Sequence, residues 1–324
     1  MAESTKKLAD KRHYLSNNGI IIGFAVIFIF LSIFAPNFLS VDNILNILKQ
    51  ISCIGIATLG VGILIITNNN DIAIGSMFAL VGVVAGLTVS EGMGGYGLPA
   101  PVGYLAGIGT GILVGAFNGI IVAKGRIPAF IVTMGTQSIA RGLALILAHG
   151  MPVGSFPASF NYLGTKSLFG IIPWSIIIFA VMVVIINFIM KKRPIGRYFY
   201  AVGGNEEAAK VAGINVDKIK IQAYLIEGAL LGLAGTLMAS RLQSASPNLG
   251  TGYEMDAIAG CIIGGVSFTG GIGTVFNMVL GAMIIGVINN GMDLMGVEAF
   301  YKQVVKGSII IIAVLLDRKR SGRG

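Results

Sequence analysis

The residues of this chain that could do chemistry are polar side chains set into long apolar runs. The stretch IVTMGTQSIARG at 131–142 carries Thr133, Thr136, Gln137, Ser138 and Arg141. Asn118, Asn289 and Asn290 place amides in other runs, while Asp71, Glu227 and Asp256 place carboxyls near run ends. Hydroxyls and amides can hydrogen-bond a neutral polar solute, and the same groups bond one helix to another inside a bilayer. Both readings stand for each of them. Arg141 at mid-run would cost about 2.5–3.5 kcal/mol on an insertion scale, so it needs a carboxylate, carbonyls or a route to the interface. Catalysis lacks its parts. Cys53 and Cys261 are isolated apolar-run cysteines, and His13 and His149 have no partner groups. No metal-ligand spacing and no nucleotide-binding GxxxxGK[ST] motif occurs, so no metal or bound cofactor is expected and any ATP hydrolysis must belong to another subunit. No ladder of acids and histidines suggests a proton relay.

A different group of residues is polar and punctuated for structure. In GRYFYAVGGNEEAAKVAGINVD, Asn205 is a good N-cap, Glu206 and Glu207 fall in the first turn, and Gly213 suits the left-handed C′ position. The spacing predicts a short capped helix over 206–212, with Ala208, Ala209, Val211 and Ala212 as a shallow apolar surface. It reads either as a docking element or as an ordinary interfacial helix.

The elements that must position these groups are membrane helices. Of 324 residues, 55% are hydrophobic and 11% charged, against roughly 25% charged in soluble domains. The apolar runs are continuous rather than alternating, which argues against an outer-membrane barrel. We expect an all-α polytopic membrane protein, a single transmembrane domain over 1–324. About ten spans fall near 20–35, 44–66, 72–90, 101–123, 128–148, 171–190, 221–240, 253–267, 272–291 and 303–317. The eighth is short and glycine-rich, which suggests a broken or re-entrant crossing. The first follows a basic leader but lacks a cleavage site, so it is read as uncleaved.

Basic residues set the expected orientation. Lys6, Lys7, Lys11, Arg12, Lys124, Arg126, Lys191, Lys192, Arg193, Arg197, Lys210, Lys218, Lys220, Arg318, Lys319, Arg320 and Arg323 all fall on one side of such a topology. Lys166, Arg241 and Lys302 fall chiefly on the other. The leader 1–19, the loop 191–220 and the tail 318–324 are therefore expected in the cytoplasm. The net charge of +9 is a topology signal and not a nucleic-acid footprint. Glycine ladders at Gly107, Gly111, Gly115 and at Gly228, Gly232, Gly235 permit close helix approach. Asp71-Ile-Ala-Ile-Gly-Ser opens span three near the inner face, and Asp256-Ala-Ile-Ala-Gly-Cys opens span eight near the outer face. That relation fits an inverted repeat.

Five blocks then carry a family resemblance: DIAIGSMFAL at 71–80, PAFIVTMGTQSIARGLA at 128–144, GRYFYAVGGNEEAAKVAGI at 196–214, YEMDAIAGCIIGGVSFTGGIGTV at 253–275 and INNGMDLMGV at 288–297. Together they resemble the sugar-type permease subunits of bacterial ABC importers, within the branched-chain amino acid and sugar permease group. Where the group usually reads close to ELDAIAAVVIGGTS, this chain has Met255, Gly260, Cys261 and Val266. The resemblance implies a multi-pass protein of the inner membrane that is not itself an enzyme. It implies a partner ATPase subunit that uses ATP and Mg, an extracytoplasmic sugar-binding protein, and a second permease copy, identical or related. It implies that residues 205–213 form a coupling helix that docks on the ATPase, with Gly203, Gly204, Asn205, Glu206, Glu207, Ala208, Ala209 and Gly213 in that role. Path-lining candidates are Asn118, Thr133, Gln137 and Asn289, while Arg141, Asp71 and Asp256 are structural or path residues. A branched-chain amino acid permease and an ion-coupled secondary transporter are the alternatives.

Overall fold

A helix lies over each of the ten apolar runs. The computed structural model describes residues 19–92 and 94–320, with the side chains of 316–320 excluded. The leader residues Lys6, Lys7, Lys11, Arg12 and His13 and the tail from 321 lie outside the described residues. The helices are α1 (Gly19–Phe34), α2 (Val41–Ile66), α3 (Ile74–Val89), α4 (Ala100–Gly125), α5 (Ala129–Leu147) and a short α6 (Ala158–Thr165). Next come two strands of two residues each, β1 (Ser167–Leu168) and β2 (Ile172–Pro173), paired antiparallel. Then follow α7 (Trp174–Lys192), α8 (Pro194–Gly204), α9 (Glu206–Val211), α10 (Val216–Leu242), α11 (Tyr253–Ile263), α12 (Val275–Leu294) and α13 (Ala299–Arg320). Six of these, α2, α4, α5, α7, α10 and α12, are long and apolar enough to cross a bilayer. The hydropathy reading missed α6, α8 and the small hairpin, which are too short or too polar to register as apolar runs.

The core is built around α2. From Ile51 to Ile66 it is buried on every face, enclosed by α10, α12, α7, α11 and α8. A helix apolar all round is one that the protein surrounds. By contrast α1, α4, α5 and α7 expose large side chains such as Phe34, Leu105, Ile146 and Val184, as helices facing lipid do.

The closest helix pair is α4 with α10, and the two glycine ladders make it possible. A methyl group added at Gly111 would overlap the Gly228 carbonyl oxygen and the Gly232 backbone, and one added at Gly228 would overlap the Gly111 carbonyl. Backbone cannot yield as a side chain can. Gly111→Leu should therefore exceed the usual overpacking cost of about 1–3 kcal/mol and abolish recovery of monodisperse protein in mild detergent. Gly109→Leu, on the same helix with nothing within 4 Å of the new side chain's first carbon, should be recovered like the parent.

The eighth apolar run breaks as its glycines suggest, and the structure extends the break upstream. α11 has 11 residues, about 16 Å of helix, roughly half the hydrocarbon thickness. Before it lies the non-helical segment 243–252. Ala245 exchanges two backbone hydrogen bonds with Val153 (3.0 and 2.8 Å). Gly250 packs on Gly75, and the Tyr253 ring meets Phe78 edge-on at 5.3 Å. The chain thus descends from the end of α10 to the first turn of α3 before it becomes helical.

Candidate functional site

Two clusters of buried polar residues contain the buried carboxyls Asp71, Glu227 and Asp256, one beside the start of α3 and one in α11. Residues 67–73 join α2 to α3 without helix, so their backbone needs partners. Asp71, fully buried, accepts from the Ala73 N–H at 2.5 Å and from Asn118 Nδ2 at 3.3 Å. Thr136 Oγ1 donates to Asn118 Oδ1 at 2.6 Å, and Thr133 Oγ1 accepts from the Ile72 N–H at 3.3 Å. The Tyr224 hydroxyl donates to the Asn70 carbonyl at 3.2 Å. Glu227 on α10 is also fully buried, with no N–H or hydroxyl reaching its carboxyl among the described residues. Asp71 is its ionisable neighbour.

The second cluster has the same plan. Asp256, in the first turn of α11, accepts from Asn289 Nδ2 at 3.1 Å and is ion-paired with Lys306 Nζ at 2.8 Å. In each cluster an aspartate, just before α3 or in the first turn of α11, is bonded to an asparagine on the next long helix. The third member sits at the eighth residue of the helix after that, Thr136 on α5 and Lys306 on α13. Asn290, beside Asn289, exchanges two amide hydrogen bonds with Asn43 on α2 (3.1 and 2.9 Å), which is bonding between helices. Lys306 and Asn43 escaped the sequence reading, although a lysine within an apolar run was the signal for the first.

Arg141 is paired with carbonyls, one of the two partnerships open to it. Its Nη1 donates to the Pro247 carbonyl at 2.6 Å and the Leu249 carbonyl at 3.0 Å. It thereby holds the non-helical descent of 243–252. Asn118, Thr133 and Asn289 are likewise bonded inside the chain, whereas Gln137 is half-buried on an open side of α5.

On another face lies the capped segment. Asn205 Oδ1 accepts from the Ala208 N–H at 2.9 Å, and Gly213 has φ +79°, as the sequence predicts. Glu206 bonds Lys220 on α10 at 2.7 Å and Lys210 at 3.1 Å, and Glu207 bonds Lys210 at 2.8 Å. Partial burial pushes the Glu206 carboxyl up, but Lys220 and Lys210 outweigh it and hold the group below the usual glutamate range. This anchoring is therefore complete at neutral pH and is lost only as pH falls through that lowered value. Glu207, Ala208, Val211 and Ala212 face outward, with Val211 90% exposed. Two residues expected on the outer surface face inward. Ala209 is 4% exposed, because it lies on the helix face that packs on the chain. Gly203 is pressed against the Ile66 carbonyl and the Gly271 backbone, so its missing side chain permits close packing. Beside α9 opens a polar pocket of about 790 Å³, lined by Asn68, Asn69, Asn70, Arg126, Glu206 and Lys220 among others.

Residues 43–314 match the family described as branched-chain amino acid transport system / permease component. The chain belongs to this permease family. Among its relatives, the ribose import permease protein RbsC of Escherichia coli K12 is 37% identical, covering 98% of this chain and 99% of its own. The xylose transport system permease protein XylH of Haemophilus influenzae is 32% identical over 92% and 95%, and the L-arabinose ABC transporter permease protein AraH of Azospirillum brasilense is 34% identical over 94% and 88%. No solved structure matches the chain. The permease is a multi-pass protein of the bacterial inner membrane and is not itself an enzyme.

Proposed function

We propose that this permease forms the membrane path for a monosaccharide in a binding-protein-dependent ABC importer, with α9 as the element that receives the stroke of a partner ATPase. The chain crosses the bilayer ten times with both termini in the cytoplasm, and the face carrying α9 and the 790 Å³ pocket is cytoplasmic. A second permease copy completes the path, and a soluble sugar-binding protein delivers the solute outside. ATP and Mg act on the ATPase alone.

The observation that carries this reading is α9 itself. Its ends are capped, it is ion-paired to α10, and its outer face is bare. A rigid element joined to long helices can pass a displacement to the membrane segment. The relatives with printed sugar names supply the solute class. An ion-coupled transporter would need buried acids free to titrate with transport. Here Asp256 is held by Lys306, and Asp71 accepts from the Ala73 N–H and the Asn118 amide, so these two aspartates are committed to structure and of the fully buried acids only Glu227 is left without a partner among the described residues.

Val211→Asp tests the docking role. The site is exposed, so folding should change by less than about 0.5 kcal/mol, while a charge in an apolar docking contact should cut ATP-driven uptake about tenfold or more. Normal uptake at normal membrane abundance would remove α9 from the coupling role. Ala209→Arg is the wrong probe, because it would disrupt the packing of α9 on its own chain.

A further inference from the structure

At the midpoint of α5 the chain presents a carboxamide to the outside of the bundle. Gln137 is the ninth of nineteen residues in this helix, half-buried, and its amide has no hydrogen-bond partner in the chain among the described residues. One turn further, about 6 Å along the axis, Arg141 grips the carbonyls of Pro247 and Leu249. Between those two carbonyls stands Asn248, exposed, whose side-chain amide is also without a partner in the chain among the described residues. Thr251, exposed as well, returns its hydroxyl to the Asn248 carbonyl at 3.0 Å. Ser138, exposed beside Gln137, bonds back to the Met134 carbonyl.

Two open amides beside non-helical backbone at membrane depth are not a lipid-facing surface. Each unsatisfied polar group in hydrocarbon costs several kcal/mol, and irregular backbone is tolerated there only within protein or beside water. The cytoplasmic pocket lies elsewhere, and its lining contains neither residue. A neutral carboxamide offers two donors and an acceptor without charge, which suits the hydroxyls of a neutral sugar and lets the solute leave. The Arg141 Nη1 donors are taken by the two carbonyls, so the open groups of this face are the neutral amides.

We infer that Gln137 and Asn248 form a carboxamide ledge that hydrogen-bonds the hydroxyls of the transported neutral monosaccharide midway through the membrane. The inference rests on the permease reading above and names the side chains that touch the solute. Neither backbone nor packing depends on these two amides, so their replacement leaves the fold intact.

The test uses the complete transporter in proteoliposomes, with ribose, xylose and arabinose as probes. Gln137→Cys and Asn248→Cys are treated separately with a membrane-impermeant thiol reagent. The native Cys53 and Cys261 are buried and should stay silent. The expected result is modification from the aqueous phase, slowed by whichever probe sugar the parent transports. Gln137→Leu and Asn248→Leu should lower uptake of that sugar about tenfold at unchanged assembly, a loss of roughly 1.4 kcal/mol. Cysteines that resist the reagent but cross-link between two permease copies would overturn the ledge in favour of a dry subunit interface, leaving the transport reading standing. Modification with unchanged uptake by the leucine variants would overturn it as well. A parent complex that moves none of the three sugars while transporting a branched-chain amino acid would overturn both the ledge and the sugar reading.

Discussion

Lys306→Met should be one of the most damaging single changes to the membrane core. The ammonium reaches both oxygens of Asp256, at 2.8 and 2.9 Å, and Asp256 is 2% exposed. Removing one member of a buried ion pair leaves an uncompensated charge, at a cost of about 3–5 kcal/mol. The pair also joins α13 to α11, so its loss frees that short helix. We expect the variant to unfold at much lower denaturant in mixed micelles and to lose uptake. Asp256→Asn in the same chain should restore most of the stability, because the uncharged amide needs no cation and Asn289 remains beside it. A Lys306→Met protein as stable as the parent would mean that the pair is not formed in the membrane.

Arg141→Leu should follow closely. The guanidinium is the donor to two carbonyls of the descending segment, and no other side-chain donor to them occurs among the described residues. Each acceptor left bare costs about 1–3 kcal/mol, so the segment would lose about 2–6 kcal/mol of local support. Leucine keeps the apolar stem and removes only the donor, which makes the comparison clean. The expected signature is selective. Protease cleavage and amide exchange should rise at 246–252, uptake should fall, and the glycine-packed pair of α4 and α10 should stay protected. Unchanged exchange in that segment would show that its carbonyls find other partners. Arg141→Lys, which keeps a charge and three donors on a long stem, should recover part of the loss.

How much of this was legible beforehand depended on the range of the interaction. Hydropathy located the ten apolar runs because a long continuous apolar run is itself the requirement for a membrane helix. Predicted and observed ends differ by a few residues, as with 221–240 against Val216–Leu242. The cap of α9 was legible from Asn205, Glu206, Glu207 and Gly213, since capping acts within four residues. The glycine ladders signalled close approach but not the partner, and the structure supplies it by pressing Gly111 on Gly228. Ala209 shows the limit of composition: four small apolar residues suggested one surface, yet helix phase turns Ala209 inward and leaves Val211 out.

The amino-acid sequence by itself determined the class of the protein, the number of its apolar runs and the capped helix that stands outside them. Those properties are set by local burial energy and by bonds between near neighbours. Only the tertiary structure decided what the buried polar residues do. Asp71 finds Asn118 47 residues away, Asp256 finds Lys306 at 50, and Arg141 finds Pro247 at 106. In a bilayer a polar group must take whichever partner packing brings to it, and no local pattern encodes that choice. The same packing spends Asn118, Thr133 and Asn289 on contacts within the chain and leaves the Gln137 and Asn248 amides open.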